Sequence, residues 1–118
     1  MRLLTLALAA SLCLPPPAHA VASSETAKAL YEDCTADDDT YLKVAYCVGQ
    51  IRGMVIGAQI AFTAEELTLC YPDDVRNREL LQAFLDYYRD NPSKRLEPAF
   101  VTVVLSVTTR WPCTGGKR

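Results

Sequence analysis

The chain has 118 residues and a mass of 13.0 kDa; half of its residues are apolar and 22% are charged. This composition is typical of one globular domain and excludes a disordered or fibrous chain. Twelve basic and fourteen acidic side chains give a formal net charge of −2, without the dense cluster of Lys and Arg that binds a phosphate backbone. We therefore expect no nucleic-acid partner.

The first twenty residues have the pattern of a cleaved signal peptide. Arg2 supplies a positive charge, an apolar run extends from Leu3 to Leu14, and an Ala-His-Ala triplet has small residues at the positions that a signal peptidase recognises. The apolar run is too short to cross a ~30 Å hydrocarbon layer as a helix. We predict a leader at residues 1–20 and an exported domain at residues 21–118, with no membrane partner.

The exported domain lacks the groups that most hydrolytic mechanisms need. His19 is the only histidine and leaves with the leader, so no imidazole remains for general-base, Cys-His or Ser-His-Asp chemistry. The carboxylate pairs Glu65-Glu66 and Asp73-Asp74 are the alternative catalytic groups, but adjacent residues rarely converge on one substrate. We predict that the protein is not an enzyme and uses no cofactor.

Four cysteines remain once Cys13 is removed with the leader: Cys34, Cys47, Cys70 and Cys113. An even number in a small exported domain indicates two disulfides. A zinc site is the alternative, but no pair has the two-to-four-residue spacing of structural zinc sites and no histidine is present. We therefore expect no metal. Four cysteines allow three pairings, which the positions of the helices must distinguish.

Two helices are predicted on either side of an acidic run. Ser23 or Ser24 can cap a first helix that ends near Cys34, and Asp37-Asp38-Asp39 introduces the second. In the second helix, apolar residues recur at alternating steps of three and four, which places them on one stripe. The members of the stripe are Tyr41, Val44, Val48, Ile51, Val55, Ala58 and Phe62.

The second helix is nearly long enough to span a membrane. Arg52 at its middle would cost about 2.5 to 3.5 kcal/mol in a bilayer, so we expect a buried helix of a water-soluble domain. Gly49, Gly53 and Gly57 recur along it, each at a cost of about 1 kcal/mol relative to Ala. The favoured interpretation is a groove for a neighbouring helix of the same chain, and a self-association face is the alternative.

A capping-box pattern and a proline loop separate the second helix from the third. Thr63 and Glu66 match the pattern for a short helical turn, before Cys70-Tyr71-Pro72 interrupts the chain. Asp73-Asp74 then provide a cap for a helix that ends at Asn91-Pro92. It runs from Val75 to about Asp90, with Leu81, Phe84 and Tyr88 inward and Arg78, Gln82 and Asp86 outward.

The last segment fits either a helix or a strand. Pro98 stands where a helix would begin, but the segment is rich in β-branched residues and partly alternates. Because the chain offers no second strand to pair with, a helix is favoured. Its predicted inward stripe is Phe100, Val103, Val104, Val107 and Trp111, opposite Thr102, Ser106 and Thr109.

The helix order indicates how the cysteines pair. A short connection makes the first two helices antiparallel neighbours and brings Cys34 at the end of one close to Cys47 near the start of the next. Cys70 lies just before the third helix and Cys113 just after the fourth, and these ends coincide in an antiparallel pair. We predict the pairs Cys34–Cys47 and Cys70–Cys113, each with the ~5.5 Å Cα separation of a disulfide.

Four short motifs occur in order along the exported domain. They are CVGQIRG from Cys47 to Gly53, CYP from Cys70 to Pro72, FLDYYRDNP from Phe84 to Pro92 and RWPC from Arg110 to Cys113. Together they resemble the Rap/Tai family of type VI secretion immunity proteins over about residues 30–113. Gln50 departs from the family pattern, which commonly has an aromatic residue at this position.

The resemblance implies an all-α, disulfide-stapled four-helix domain similar to the acid-stress chaperone HdeA, located in the periplasm. It implies binding of an injected cell-wall toxin, which in characterised relatives is a peptidoglycan amidase whose cleft an often homodimeric immunity protein obstructs. No catalytic or toxin-contacting residue carries over. The residues that match the family as scaffold are the four cysteines with Gly49, Gly53, Pro72, Pro92 and Trp111.

We therefore predict a periplasmic immunity protein that binds and blocks a cognate type VI secreted toxin. An HdeA-like periplasmic stress chaperone is the alternative, and it rests on analogy of fold alone. The acidic clusters Asp37-Asp38-Asp39 and Asp73-Asp74 are candidate contact surfaces, although helix capping also explains both.

Overall fold

The computed structural model describes residues 25–37, 41–65 and 68–114, and in these ranges the fold is all-α, as predicted. The helices are α1 (Ala27–Cys34), α2 (Tyr41–Ala64), α3 (Asn77–Asp90) and α4 (Ala99–Arg110), with a 3-10 turn at Pro92–Lys94. Each of the four α-helices contacts the other three, so they share one core. The proposed leader, Ser23, Ser24 and most of the acidic run lie outside the described residues.

α1 is capped by Thr26, so the prediction of a Ser23 or Ser24 cap is wrong. The Thr26 hydroxyl accepts a hydrogen bond from the backbone N–H of Ala29 at 3.2 Å. Threonine is among the residues preferred at an N-cap, and Thr26 directly precedes the first buried residue of the helix. The cap therefore lies where the chain enters the core.

Replacing Thr26 by Ala is expected to lower the free energy of unfolding by about 1 kcal/mol, because the substitution removes the acceptor at the start of α1. Urea denaturation measures this loss. Thr108→Ala is the matched control, because Thr108 is exposed on α4; it should change stability by less than about 0.5 kcal/mol. Equal losses in the two variants would contradict the capping role.

The start of α1 is also bound to the segment that precedes α4. The N–H of Ala27 donates to the carbonyl of Glu97, and that of Lys28 to the carbonyl of Arg95, each at 2.9 Å. The first N–H groups of a helix have no partner within the helix. These bonds therefore satisfy two N–H groups at the start of α1 and hold this end of the helix beside the start of α4.

Three of the seven residues of the predicted stripe on α2 are buried. The buried residues of α2 are Cys47, Ile51, Val55 and Ala58, while Val44, Val48 and Phe62 are partly buried. Tyr41, predicted inward, is 85% exposed. Because the disulfide holds the end of α1 at Cys47, the turns of α2 before this residue extend past α1.

From the sequence, a capping box at Thr63 was predicted to start a short helical turn after α2. In the structure, no new turn starts at Thr63. That residue lies inside α2, and its hydroxyl donates to the carbonyl of Gln59 at 2.7 Å. This is the bond to the carbonyl four residues earlier that Ser and Thr make inside a helix, so Thr63 does not act as a cap. Glu66 lies outside the described residues.

α3 starts two residues later than predicted, and the aspartates do not cap it. Asp73 and Asp74 lie in an exposed turn, whereas the carboxylate of Glu79 accepts from the N–H of Arg76 at 2.8 Å. The acidic group in the first turn therefore supplies the cap from inside the helix. Asn91 ends α3 as predicted, with its side chain donating to the carbonyl of Tyr87 at 2.9 Å.

The inward side of α3 is formed by Leu80, Phe84 and Tyr88, at successive steps of four. Leu81, predicted inward, is only partly buried. The ring of Tyr88 stacks on that of Tyr31 in α1, with centroids 4.2 Å apart. This aromatic pair joins α1 to α3.

The helix predicted for the last segment is confirmed, but the inward stripe predicted for it is partly wrong. The buried residues of α4 are Ala99, Thr102, Val103, Ser106 and Val107. The hydroxyls of Thr102 and Ser106 donate to the carbonyls of Pro98 (3.3 Å) and Val103 (2.7 Å), so both bury without an unpaired polar group. Their small size suits a close helix contact, and Phe100 is left 43% exposed.

The structure contains both predicted disulfides. The Cα atoms are 5.2 Å apart in Cys34–Cys47 and 5.1 Å apart in Cys70–Cys113. The first bridge is buried and joins α1 to α2, whereas the second is half-buried and joins the segments before α3 and after α4. One disulfide therefore links α1 to α2, and the other links the start of the α3 region to the end of the α4 region.

Candidate protein-interaction surface

An apolar face of α2 points away from the core. Its residues follow steps of four and three on the side opposite Cys47, Ile51, Val55 and Ala58, and all of them are exposed. We define the outer face of α2 as Leu42, Tyr46, Gly49, Gly53, Ile56, Gly57 and Ile60. It contains no charged residue. Monomeric proteins rarely expose a continuous apolar strip of this kind, so this face has the composition of an interface.

The glycine row lies on this outer face, so the prediction of a groove for a neighbouring helix of the same chain is wrong. Apart from the chain neighbours and the backbone of α2 itself, a Cβ atom built at Gly49, Gly53 or Gly57 meets no atom of the described residues within 4 Å. The other helices pack on the opposite side of α2. The alternative interpretation from the sequence, a self-association face, is the one that agrees with this position.

A shallow groove runs beside the glycine row, between α2 and the start of α3. It has a volume of about 670 Å³, and its walls include Tyr41, Val48 and Asn77. Arg52 is the charged residue in its lining, and its guanidinium donates to the carbonyl of Val75 at 3.4 Å. The charge therefore lies at the side of α2, held towards α3, and off the outer face.

By length and composition, α2 is long and apolar enough to cross a membrane, and among the described residues it is the one helix that is. Of its most apolar window, 22% is buried inside the structure. The expectation of a buried helix therefore holds for one side of α2 only.

Three other residues matched as scaffold have visible packing roles. The carbonyl of Pro72 accepts from the N–H of Val75 at 3.1 Å, and Pro92 begins the 3-10 turn. Trp111 is half-buried and lines an apolar cavity of about 280 Å³ with Phe62. These contacts position the segments that follow α2, α3 and α4.

The acidic candidate surfaces are exposed where the structure describes them. Asp73 and Asp74 form an exposed turn before α3, and Asp37 is exposed after α1. Asp38 and Asp39 lie outside the described residues. Because Glu79 caps α3, the carboxylates of Asp73 and Asp74 do not cap the helix and are accessible to a partner.

A cluster of charged side chains lies in the last turn of α3. The guanidinium of Arg89 contacts Asp90 at 2.9 Å and Asp86 at 3.1 Å. The hydrogen bond from Arg89 holds the pKa of Asp90 below its ordinary value, and the same carboxylate raises the pKa of Arg89. A carboxyl group whose pKa is lower in the folded state than in the unfolded state stabilises the fold at pH values above its unfolded-state pKa. This contribution is lost as the pH falls through its folded-state pKa. Solvent screening makes it small at this exposed position.

No group of three or more His, Cys, Asp or Glu side chains within the described ranges is arranged to hold a metal ion. All four cysteines among the described residues are in disulfides, so none of these is a nucleophile or a metal ligand. The described residues present two candidate binding surfaces, which are the apolar outer face of α2 and the exposed acidic turn at Asp73-Asp74.

From the sequence, an outward-facing glycine row was only the alternative interpretation, because α2 was expected to be a buried helix. The signal was present as a second stripe with the same period, offset from the first, that carries no charged residue. One apolar stripe predicts one buried side, whereas two opposite stripes on one helix predict two covered sides.

Comparison with known proteins gives one family. The model of the Rap1a immunity proteins matches residues 26–113 of this chain, which is nearly all of its described part. No curated protein matches the chain. No solved structure matches it, so the similarity to HdeA remains a prediction.

Proposed function

The chain belongs to the Rap1a immunity protein family, and on that premise we propose that it neutralises a cognate toxin of a type VI secretion system. The observation that carries the proposal is the family match over residues 26–113, which includes all four helices and both disulfides. Members of this family are toxin inhibitors and not enzymes. The protein therefore acts by binding.

The toxin that we propose is a peptidoglycan amidase, blocked by occlusion of its active-site cleft. Occlusion requires a surface that is already ordered, because ordering it on binding would reduce the affinity. Two disulfides and one shared core provide such a scaffold. The exposed carboxylates at Asp73-Asp74 are suited to steer a toxin with a basic rim.

The proposed site of action is the periplasm, reached through cleavage of the leader at residues 1–20. The two disulfides support this location, because such bridges persist in oxidising compartments and are rare in the cytosol. An amidase toxin acts on the cell wall, so its inhibitor has to be in the same compartment. We also propose that the protein is a homodimer, as the resemblance implies.

Survival of intoxicated cells tests the proposed function. Bacteria that secrete the cognate amidase should lyse sibling cells that lack this protein and spare siblings that express the full chain. A variant without residues 2–20 is the matched control: it stays in the cytoplasm, where the disulfides do not persist and the toxin is absent, and should protect no better than an empty vector.

Purified components separate binding from other causes of survival. The exported domain should inhibit peptidoglycan cleavage by the toxin at a stoichiometry of one chain per toxin. Equal lysis of siblings with and without the protein, or full amidase activity in the presence of excess protein, would contradict the proposal.

A further inference from the structure

We propose that the guanidinium of Arg95 binds a side-chain carboxylate of the toxin. The inference rests on the proposed function, because that function supplies the toxin as the partner. The family match gives no toxin-contacting residue, and the geometry around Arg95 points to one. The surface around Arg95 shares no residue with the outer face of α2 or with the acidic turn at Asp73-Asp74.

The backbone of Arg95 is fixed before any partner arrives. Arg95 follows the 3-10 turn at Pro92–Lys94, and its carbonyl accepts from the N–H of Lys28 in α1 at 2.9 Å. Two residues later, the carbonyl of Glu97 accepts from the N–H of Ala27 at the same distance. Two hydrogen bonds therefore hold this segment against α1, and little ordering remains to be done when a partner binds.

The side chain of Arg95 lies on a pair of stacked rings. Its guanidinium carbon is 4.9 Å from the centroid of the Tyr88 ring, which is within the range of a cation–π contact. Tyr88 is buried, and Tyr31 stacks on it with the two ring planes 9° apart. Because these rings belong to the core contact between α1 and α3, they present the guanidinium in a defined position.

The charge of Arg95 has no ion-pair partner in the part of the chain that the structure describes. Within that part, its guanidinium also donates no hydrogen bond. The nearby charges are paired, Lys94 with Glu97 at 3.6 Å and Arg89 with Asp86 at 3.1 Å. The planar set of N–H donors on Arg95 therefore remains available, and its geometry matches the two oxygens of a carboxylate.

A groove of about 270 Å³ surrounds this guanidinium. We call it the arginine groove, and its lining includes Tyr31, Gln82, Asp86, Tyr88, Arg89 and Arg95. Asp86 accepts from the amide of Gln82 at 3.0 Å and pairs with Arg89, so its negative charge is compensated inside the groove. The positive charge of Arg95 is left over, and it is complementary to an acidic group on the partner.

The residue types in the arginine groove favour a protein partner. Tyrosine and arginine are enriched among the few residues that carry most of the binding energy in protein interfaces. An exposed ion pair contributes little, because water screens it. An arginine that stacks on a ring and is covered by a partner loses that screening, so its hydrogen bonds to a carboxylate are stronger.

Calorimetric titration of the exported domain tests the inference. The probe is the amidase that the full chain neutralises in the sibling-lysis test. Arg95→Ala should raise the dissociation constant about 30-fold or more, which is the effect of truncating a dominant interface residue. Arg95→Met should weaken binding as much, because it keeps an apolar side chain over Tyr88 and removes the charge. Arg95→Lys keeps the charge without the planar donors and should cause a smaller loss.

Arg78→Ala is the matched control. It removes the same exposed side chain from the start of α3, outside the arginine groove, and should change the dissociation constant by less than about threefold. Circular dichroism should show the wild-type helix content in every variant, because the bond from α1 uses the backbone carbonyl of Arg95 and not its side chain.

A double-mutant cycle identifies the carboxylate on the toxin. Each surface Asp and Glu of the amidase is replaced by Ala in turn, and each variant is titrated against the wild-type chain and against Arg95→Met. One substitution should weaken binding to the wild-type chain and have little further effect on binding to Arg95→Met, because both changes remove the same ion pair.

Two outcomes would overturn the inference and leave the proposed function intact. One is wild-type affinity in both Arg95→Ala and Arg95→Met. The other is a loss in Arg95→Ala that Arg95→Met restores, which would show that the side chain acts by packing on Tyr88. A full chain that neutralises no amidase would contradict the proposed function and this inference together.

Discussion

Reduction of both disulfides is expected to unfold the domain. The bridges close loops of 13 and 43 residues, which on the chain-entropy model contribute about 3 and about 4 kcal/mol. Whole domains have only about 5 to 15 kcal/mol of stability, and a small chain is at the lower end. The reduced protein is therefore expected to be unfolded or molten at 37 °C.

Thermal unfolding followed by circular dichroism measures this effect. Because 1 kcal/mol shifts the Tm of a domain of this size by roughly 4–8 °C, reduction should lower the Tm by more than about 20 °C or abolish the transition. The reduced sample is alkylated so that the bridges do not re-form. An unchanged Tm after complete reduction would show that the helices hold together without the cross-links.

Removing the bridges one at a time distinguishes their roles. The double variants Cys34→Ala with Cys47→Ala and Cys70→Ala with Cys113→Ala each open one loop. Because the second loop is longer, its removal should cost about 1 kcal/mol more on the same model. If a variant binds the toxin as tightly as the wild-type chain does, under conditions where the variant remains folded, the missing bridge acts on stability alone.

Replacing Phe84 by Ala is expected to lower the free energy of unfolding by about 3 to 5 kcal/mol, because the substitution removes a large buried ring and leaves a cavity. Phe84 has no exposed surface and lies among the residues that all four helices contribute to the core. Its ring also packs near that of Tyr88, with centroids 6.1 Å apart. Urea denaturation at pH 7 measures the loss.

Phe100→Ala is the matched control, because it makes the same chemical change at a position that is 43% exposed on α4. The free energy of unfolding should fall by about 1 kcal/mol or less, because the partly exposed ring has less apolar surface to lose from the core. A loss at Phe100 as large as that at Phe84 would mean that the inward side of α4 is the one expected from the sequence and not the observed one.

The position of each helix was predictable to within a few residues, because helix ends and apolar spacing are local properties. The proline at the start of α4 and the asparagine at the end of α3 act on the backbone near them. The starts of α1 and α3 were predicted less well. Several residues near each start can cap, and which one does depends on where the chain enters the core.

The amino-acid sequence alone was sufficient for the helical class, the cysteine pairs and the family. Helical period is set within a few residues, and the cysteines lie at helix ends that antiparallel packing brings together. The buried side of α4 and the free side of α2 depended on packing in three dimensions. Thr102 and Ser106 bury because their own helix satisfies their hydroxyls, and the glycines of α2 stay open because every neighbouring helix packs on its opposite side. A periodic pattern gives the stripe, and only the arrangement of all four helices selects which stripe faces the core.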